Sequence, residues 1–305
     1  MARRRDIVVA VIIGGAFLIA FGLFAFMMIG VMSGGDGEMT FAPLGGAVGV
    51  VEMYGVMDEY TGRPLIRQLD TWRDNGRIKA VVIHVNSPGG GTAIAQEIYD
   101  AILRVREENK PVVISMASVA ASGGYYISCA ADRVVANPGT LTGSIGTIMS
   151  FNNFEGAMDK LGISLETIKS GEFKDVGNYS RKMTDEEELM LKSVIMDSYE
   201  QFVDVVVEGR SMERDDVYAL ADGSVFTGSQ AYNLGLVDTL GGLYEALDLA
   251  GDLAGLGHNP NIVRLRQREE TSVWDLLGGV FKGTAGLRGA VDRLQEGPQL
   301  QYLYK

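Results

Sequence analysis

Hydrophobic and polar positions divide the chain into stretches of different rhythm. From Ile7 to Met32 the run IVVAVIIGGAFLIAFGLFAFMMIGVM carries no charged residue. A helix that crosses a bilayer needs about 20 such residues, whereas a cleaved signal peptide has an apolar region of roughly 7–15 and a small-residue cut site. This run is too long for the second and is apolar all round. Residues 1–33 are therefore predicted to form one N-terminal transmembrane helix, retained as a membrane anchor held in lipid. Arg3, Arg4 and Arg5 precede it, and Asp36 and Glu38 follow it. Basic residues stay on the cytoplasmic side, so the N-terminus is predicted to be cytoplasmic and the rest extracytoplasmic at the cell membrane. Residues 34–47, rich in glycine, read as a flexible linker.

Beyond the linker, strand-like and helix-like patterns alternate. Val48–Val56 reads as a strand, and Ile78–Val85 is a nearly continuous β-branched run, as in a strand buried on both faces. Pro111–Met116, Arg133–Ala136, Ile145–Phe151 and Ser164–Ile168 are further predicted strands. Helical spacing marks Pro64–Asp74 and Thr92–Glu108, the latter with Ile94, Ile98, Ile102 and Val105 on one face. Ala120–Ala131 reads as a short helix of small residues. Thr184–Gly209 reads as a long one, opened by a threonine N-cap and an acidic first turn. This alternation predicts an α/β domain over residues 48–256 with a mostly parallel sheet. Residues 257–305 are patterned more weakly. They hold a strand-like NIVRLR and an amphipathic stretch from Ser272 to Leu294, and no role is assigned to them.

Charge and rare residues narrow the function. The net charge is −12 over 305 residues, a surface that repels phosphate, so nucleic acid is not an expected partner. Cys129 is the only cysteine, which excludes an intrachain disulfide and a cysteine-built metal site. His84 and His258 are the only histidines. His84 lies inside an apolar strand and His258 in a turn near the tail, so a Ser-His-Asp triad is not expected.

Parallel α/β sheets carry their sites at the C-terminal ends of strands, and three loops stand out there. NSPGGG, Asn86 to Gly91, offers backbone N–H groups beside a helix start, where negative charge is favoured. It reads equally as a plain strand-to-helix turn. SVAASGGYYIS places Ser122 among alanines and glycines, so that a substrate carbonyl has room to approach a hydroxyl. Close helix packing explains the same small residues. ANPGTLTGSIG offers the hydroxyls of Thr140, Thr142 and Ser144. A fourth segment, IKSGEFKD, brings Lys169 and Lys174. Without a histidine, a desolvated lysine is the remaining activator of a serine. Free lysine has a pKa of about 10.4, so such a base needs surroundings that disfavour its ammonium form.

NSPGGG, AASGGYYIS, LTGSIG and IKSGEFKD, in this order and spacing, resemble the signal peptide peptidases of the SppA type in their short, single-domain form. The similarity runs from about Val48 to about Ala254. It implies a Clp-protease/crotonase-like fold and a Ser-Lys serine protease without metal or cofactor. By that resemblance Ser122 is the nucleophile, Lys174 the general base and Ser144 the serine that orients the lysine. Gly89 and Gly123 supply the oxyanion hole. The resemblance further implies peptide substrates such as remnant signal peptides. It also implies a closed homo-oligomer, an octamer in expectation, in which the lysine comes from the same or a neighbouring subunit. The sequence leaves open a related Ser-Lys protease that cuts a specific membrane protein. A crotonase-like acyl-CoA enzyme is disfavoured by an extracytoplasmic location. An inactive scaffold of the same fold is disfavoured by the complete Ser/Lys/Ser set.

Overall fold

A computed structural model describes residues 45–264 and the backbone of residues 301–303. The predicted anchor, most of the linker and the Ser272–Leu294 stretch lie outside the described residues. Among the described residues no helix is long and apolar enough to cross a membrane.

The first half of the domain alternates strands and helices as the sequence pattern requires. Strand β1 (Ala47–Tyr54) is followed by helix α1 (Glu59–Asp74), then β2 (Ile78–Ser87), the short β3 (Gly89–Gly91) and helix α2 (Thr92–Glu107). Strand β4 (Val112–Ala121) leads into the six-residue helix α3 (Gly123–Ser128), and β5 (Arg133–Ala136) and β6 (Leu141–Gly143) follow. Next come α4 (Glu155–Leu161), a 3-10 turn (Glu172–Asp175), the long α5 (Asp185–Arg210) and α6 (Arg214–Leu220). The elements β7 (Val225–Thr227), α7 (Gly228–Asn233), β8 (Thr239–Leu240), α8 (Leu243–Leu253) and β9 (Ile262–Arg264) close the globular part, and β10 (Gln301–Leu303) lies near the C-terminus.

The sheet runs β7-β6-β4-β2-β1-β9, with β5 and β8 branching from β4. Every pairing in it is parallel except β6 with β7. One face carries Val51, Met53, Ile83, Val85 and Ile114 against Leu65, Leu69 and Trp72 of α1, Ile98 and Ile102 of α2, and Phe202 of α5. The other carries Val48, Val50, Val82 and Val113 against Ala246, Leu247 and Ala250 of α8. Burying each such side chain contributes about 1.5–3 kcal/mol. The two covered faces explain why β1 and β2 are apolar at consecutive positions.

Four sequence expectations need correction. Helix α1 begins at Glu59, five residues before the predicted start, because Asp58 Oδ1 accepts from Thr61 N–H at 2.8 Å and Thr61 Oγ1 accepts from Asp58 N–H at 3.0 Å. Pro64 then lies inside the helix. Ala120 and Ala121 belong to β4, not to a helix, since Ala120 pairs with Ser87 and Ala121 with Gly143. The predicted strand Ile145–Phe151 is not one; the pairing segment is Leu141–Gly143, just before it. Ser164–Ile168 has strand-like residues but is no strand of this structure. It is exposed throughout, with no partner to pair with among the described residues.

Candidate active site

Three neighbouring parallel strands, β2, β4 and β6, end at one place, and the first four candidate residues are there. Ser122 follows the last residue of β4 and caps α3. Its N–H donates to Gly143 O at 2.7 Å and its carbonyl accepts from Tyr126 N–H at 2.8 Å, so the backbone is tied to β6 on one side and to the helix on the other. This sharp strand-to-helix turn forces φ to +54° and ψ to −117°. A non-glycine residue in that region costs about 1–3 kcal/mol and persists only where the surroundings impose it. Ser122 is 1% exposed, and its Oγ has no hydrogen-bond partner among the described residues. Buried hydroxyls are normally paired.

Ser144 sits one position beyond the Ala121–Gly143 pairing, beside Ser122. It is buried, also at positive φ (+51°), and its N–H donates to Ser224 O at 2.7 Å. The other hydroxyls of this loop are engaged structurally. Thr142 Oγ1 donates to Ala120 O at 2.7 Å and Thr140 Oγ1 to Ala117 O at 2.6 Å, which staple β6 to β4.

The glycines fit by size. Gly123 opens α3 and is buried beside Ser122. The first N–H groups of a helix have no acceptor within it. Next to it, a Cβ on Gly124 would come within 3.0 Å of Ser87 O. Gly89 lies just beyond β2 at φ +102°, and its N–H points to Ser87 Oγ at 3.1 Å. Gly90 passes so close to Met57 that an added Cβ would lie 2.0 Å from Met57 O. On Gly89–Gly91 the segment Gln301–Leu303 pairs antiparallel, Leu303 opposite Gly89 and Tyr302 opposite Gly90. A chain segment thus lies as an added strand along the glycine turn.

Lys174 is not brought to Ser122. It stands in the 3-10 turn, exposed, with no ion pair or side-chain hydrogen bond among the described residues. Lys169, the other lysine of this segment, is engaged: its Nζ bonds Asp175 Oδ1 at 2.6 Å and Glu172 O at 2.8 Å. Arg181 reaches the same Asp175 carboxylate and, with its other edge, Glu187 in the first turn of α5. Arg181, and Lys169 after it, hold the Asp175 carboxyl well below the usual carboxylate range. Arg181, helped by Thr184 N–H, lowers Glu187 to about 2. Sequence reading missed this network. Its one legible signal is the Thr184-x-x-Glu187 capping box.

Other candidate nucleophiles and bases are placed elsewhere. His84 bonds Ser115 through Nδ1 at 3.1 Å, and burial lowers its pKa. His258 is exposed beside Asp248 and Asp252. Burial pushes the Cys129 thiol up to about 12, which keeps it protonated and unreactive. A cavity of about 490 Å³ opens beside Ser144, walled by Gly146, Thr147, Ile148, Ile195, Met196 and Tyr199 among others.

A buried serine on a strained strand-to-helix turn, at the carboxyl ends of a parallel sheet, is the layout of a hydrolase that acts through a hydroxyl. Comparison with known proteins gives the class. Residues 104–257 match Peptidase family S49, and residues 48–141 match Clp protease. A putative protease of Synechocystis sp. is 40% identical over 231 residues, 75% of this chain and 82% of that protein. A putative signal peptide peptidase SppA of Enterococcus faecium is 38% identical over 191 residues, 63% of this chain and 56% of that protein. The chloroplastic serine protease SPPA of Arabidopsis thaliana is 32% identical over 271 residues, 86% of this chain and 40% of that protein. The chain thus spans most of the first relative and about half or less of the other two. It belongs to peptidase family S49 and is a serine peptidase.

Proposed function

We propose that the chain is a membrane-anchored endopeptidase that cleaves apolar peptides, remnant signal peptides among them, with a Ser122–Lys174 dyad. The observation that carries the reading is the buried, unpartnered Ser122 hydroxyl on a strained turn. Ser122 Oγ attacks the peptide carbonyl and Lys174, neutral, takes its proton. The oxyanion is met by Gly123 N–H and by Gly89 N–H once it leaves Ser87. One such donor is worth about 3–4 kcal/mol of transition-state stabilisation. Lys174 then protonates the leaving amine, water attacks the acyl-enzyme, and Ser144 orients the lysine. The substrate lies as an extended strand along Gly89–Gly91, as Gln301–Leu303 does.

Lys174 needs a desolvated seat to be neutral, and in the single chain it is exposed. We therefore place the working dyad in a homo-oligomer, with Lys174 delivered to the Ser122 of a neighbouring copy. The charge-free run of residues 7–32 supports the anchor, and the relative named as a putative signal peptide peptidase supports the substrate class.

A fluorophosphonate probe on the full chain, with a labelled apolar peptide as substrate, tests the chemistry. Labelling and turnover are expected to vanish in Ser122→Ala, and turnover in Lys174→Ala. Full turnover by Ser122→Ala would remove the nucleophile assignment. Full turnover by Lys174→Ala would remove the base.

A further inference from the structure

The turn that carries Lys174 has little to hold it. No residue of α4 or of the 3-10 turn is buried, and Leu161 at the end of α4 and Ile163, Leu165 and Ile168 between the two are exposed. A catalytic group must nevertheless be held in place, since a misplacement of about 1 Å can cost on the order of a hundred-fold in rate. Lys169 bonds Glu172 O and Asp175 within the segment, and the tie that reaches from it to α5 lies at the residue next to Lys174. Asp175 accepts from Arg181 Nε at 3.0 Å and from a terminal nitrogen of Arg181 at 2.8 Å. The same guanidinium donates to both carboxylate oxygens of Glu187, one of them at 2.8 Å.

Glu187 is a firm anchor. It is 2% exposed, lies in the first turn of a 26-residue helix, and accepts from Thr184 N–H at 2.9 Å as half of a capping box. Arg181 itself is fixed on its backbone side, its carbonyl accepting from Asn153 Nδ2 at 3.1 Å. Asp175, Arg181 and Glu187 thus form a bridge from the exposed turn to the helix. Only a guanidinium has two edges that meet two carboxylates with paired donors; a lysine ammonium is a point charge.

We propose that Arg181 is a positioning residue of this peptidase, which clamps the turn bearing Lys174 onto the start of α5 and so fixes where the lysine is presented. The proposal rests on the reading of Lys174 as general base. It holds whether Lys174 serves its own Ser122 or that of a neighbouring copy.

Full-length Arg181→Gln, Arg181→Lys, Asp175→Asn, Lys174→Ala and the double variant Lys174→Ala/Arg181→Gln test it. kcat and KM on a labelled peptide, the rate of Ser122 labelling by a fluorophosphonate, and Tm are measured for each. Arg181→Gln is expected to lower kcat about ten- to a hundred-fold with little change in KM. Arg181→Lys should recover only a small part of that loss. In the Lys174→Ala background, Arg181→Gln should leave the residual labelling rate unchanged, because the two residues act as one unit. Should Arg181→Gln fail to fold, Asp175→Asn decides, with Lys169→Ala as its control: Asp175→Asn releases the turn but leaves the Arg181–Glu187 pair, and the same loss of kcat is expected there but not in Lys169→Ala, which removes only the other partner of Asp175. Wild-type kcat in a folded Arg181→Gln or Asp175→Asn, with Lys174→Ala inactive, overturns the clamp alone. A further drop in labelling on adding Arg181→Gln to Lys174→Ala overturns it too, since Arg181 would then act on something other than the lysine. Wild-type activity in Lys174→Ala itself overturns the base and the clamp together.

Discussion

At Ser122 the backbone is bent so that the hydroxyl stands free while N–H and C=O are both bonded. The positive φ is imposed on Ser122 by those two bonds, and its cost is carried by the surrounding sheet. Glycine adopts this region without penalty, whereas alanine shares the strain of serine. Ser122→Gly and Ser122→Ala are both expected to be inactive, but the glycine variant should be the more stable by about 1 kcal/mol, after the extra entropy of its unfolded chain is counted. Urea denaturation of the two variants checks this, and equal midpoints would mean that the turn is relaxed. The candidate residues were legible unequally. Small neighbours pointed to Ser122 and Gly123, and the glycine run to Gly89. The role proposed for Lys174 was visible only through resemblance, because a lone lysine on a surface segment carries no local signal. The engagement of Gly89 N–H with Ser87 Oγ depends on a side-chain rotamer that no sequence pattern encodes.

Among the elements, β1, β2, α2 and α5 were readable because one cause sets each: two covered faces, a helical stripe, or a cap. The stretches around Ile145–Phe151 and Ser164–Ile168 were not, since β-branched residues there form no strand among the described residues. The start of α5 shows how electrostatics adds to the pattern. Glu187 is held at about 2 by Arg181 and by Thr184 N–H, whereas a free glutamate titrates near 4.3. A depressed carboxylate binds fewer protons folded than unfolded, so its contribution is complete above about pH 4.3 and is lost as pH falls from there through about 2. Asp175, lowered in the same direction, extends the effect to still lower pH. Wild-type stability is therefore expected to fall steeply over that acid window. Glu187→Gln should start lower at neutral pH and fall less. Denaturation midpoints from pH 5 to 2 measure it, and parallel curves for the two proteins would exclude the network as a source of acid sensitivity.

On the scale of the whole molecule, the sequence predicts an anchor and an oligomer, and both bear on how the site is completed. The tail residues Gln301–Leu303 lie on the glycine turn, which is also the proposed bed of a substrate strand. A chain ending at residue 294 should therefore show a lower KM for added peptide at unchanged kcat; an unchanged KM would mean that tail and substrate use different edges. Completion by a second copy has its own physical motive. Leu161, Ile163, Leu165, Ile168 and Phe173 are exposed on one segment that ends at Lys174. The cavity beside Ser144 is walled by Ile148, Ile195 and Met196. We read the exposed apolar segment that ends at Lys174, and the cavity beside Ser144 with its apolar wall, as the two halves of the proposed head-to-tail contact. If that contact delivers the lysine, inactive subunits should complement each other. Ser122→Ala supplies a working Lys174, and Lys174→Ala supplies a working Ser122. Co-expressed in equal amounts and randomly arranged in a closed ring, they restore one site for each correctly ordered neighbour pair, about a quarter of wild-type turnover. A dyad closed within one chain gives none, because every chain lacks one member. Purified mixed oligomers, assayed on a labelled peptide against each parent variant alone, decide between the two, and activity no higher than the parents would place both residues in the same subunit.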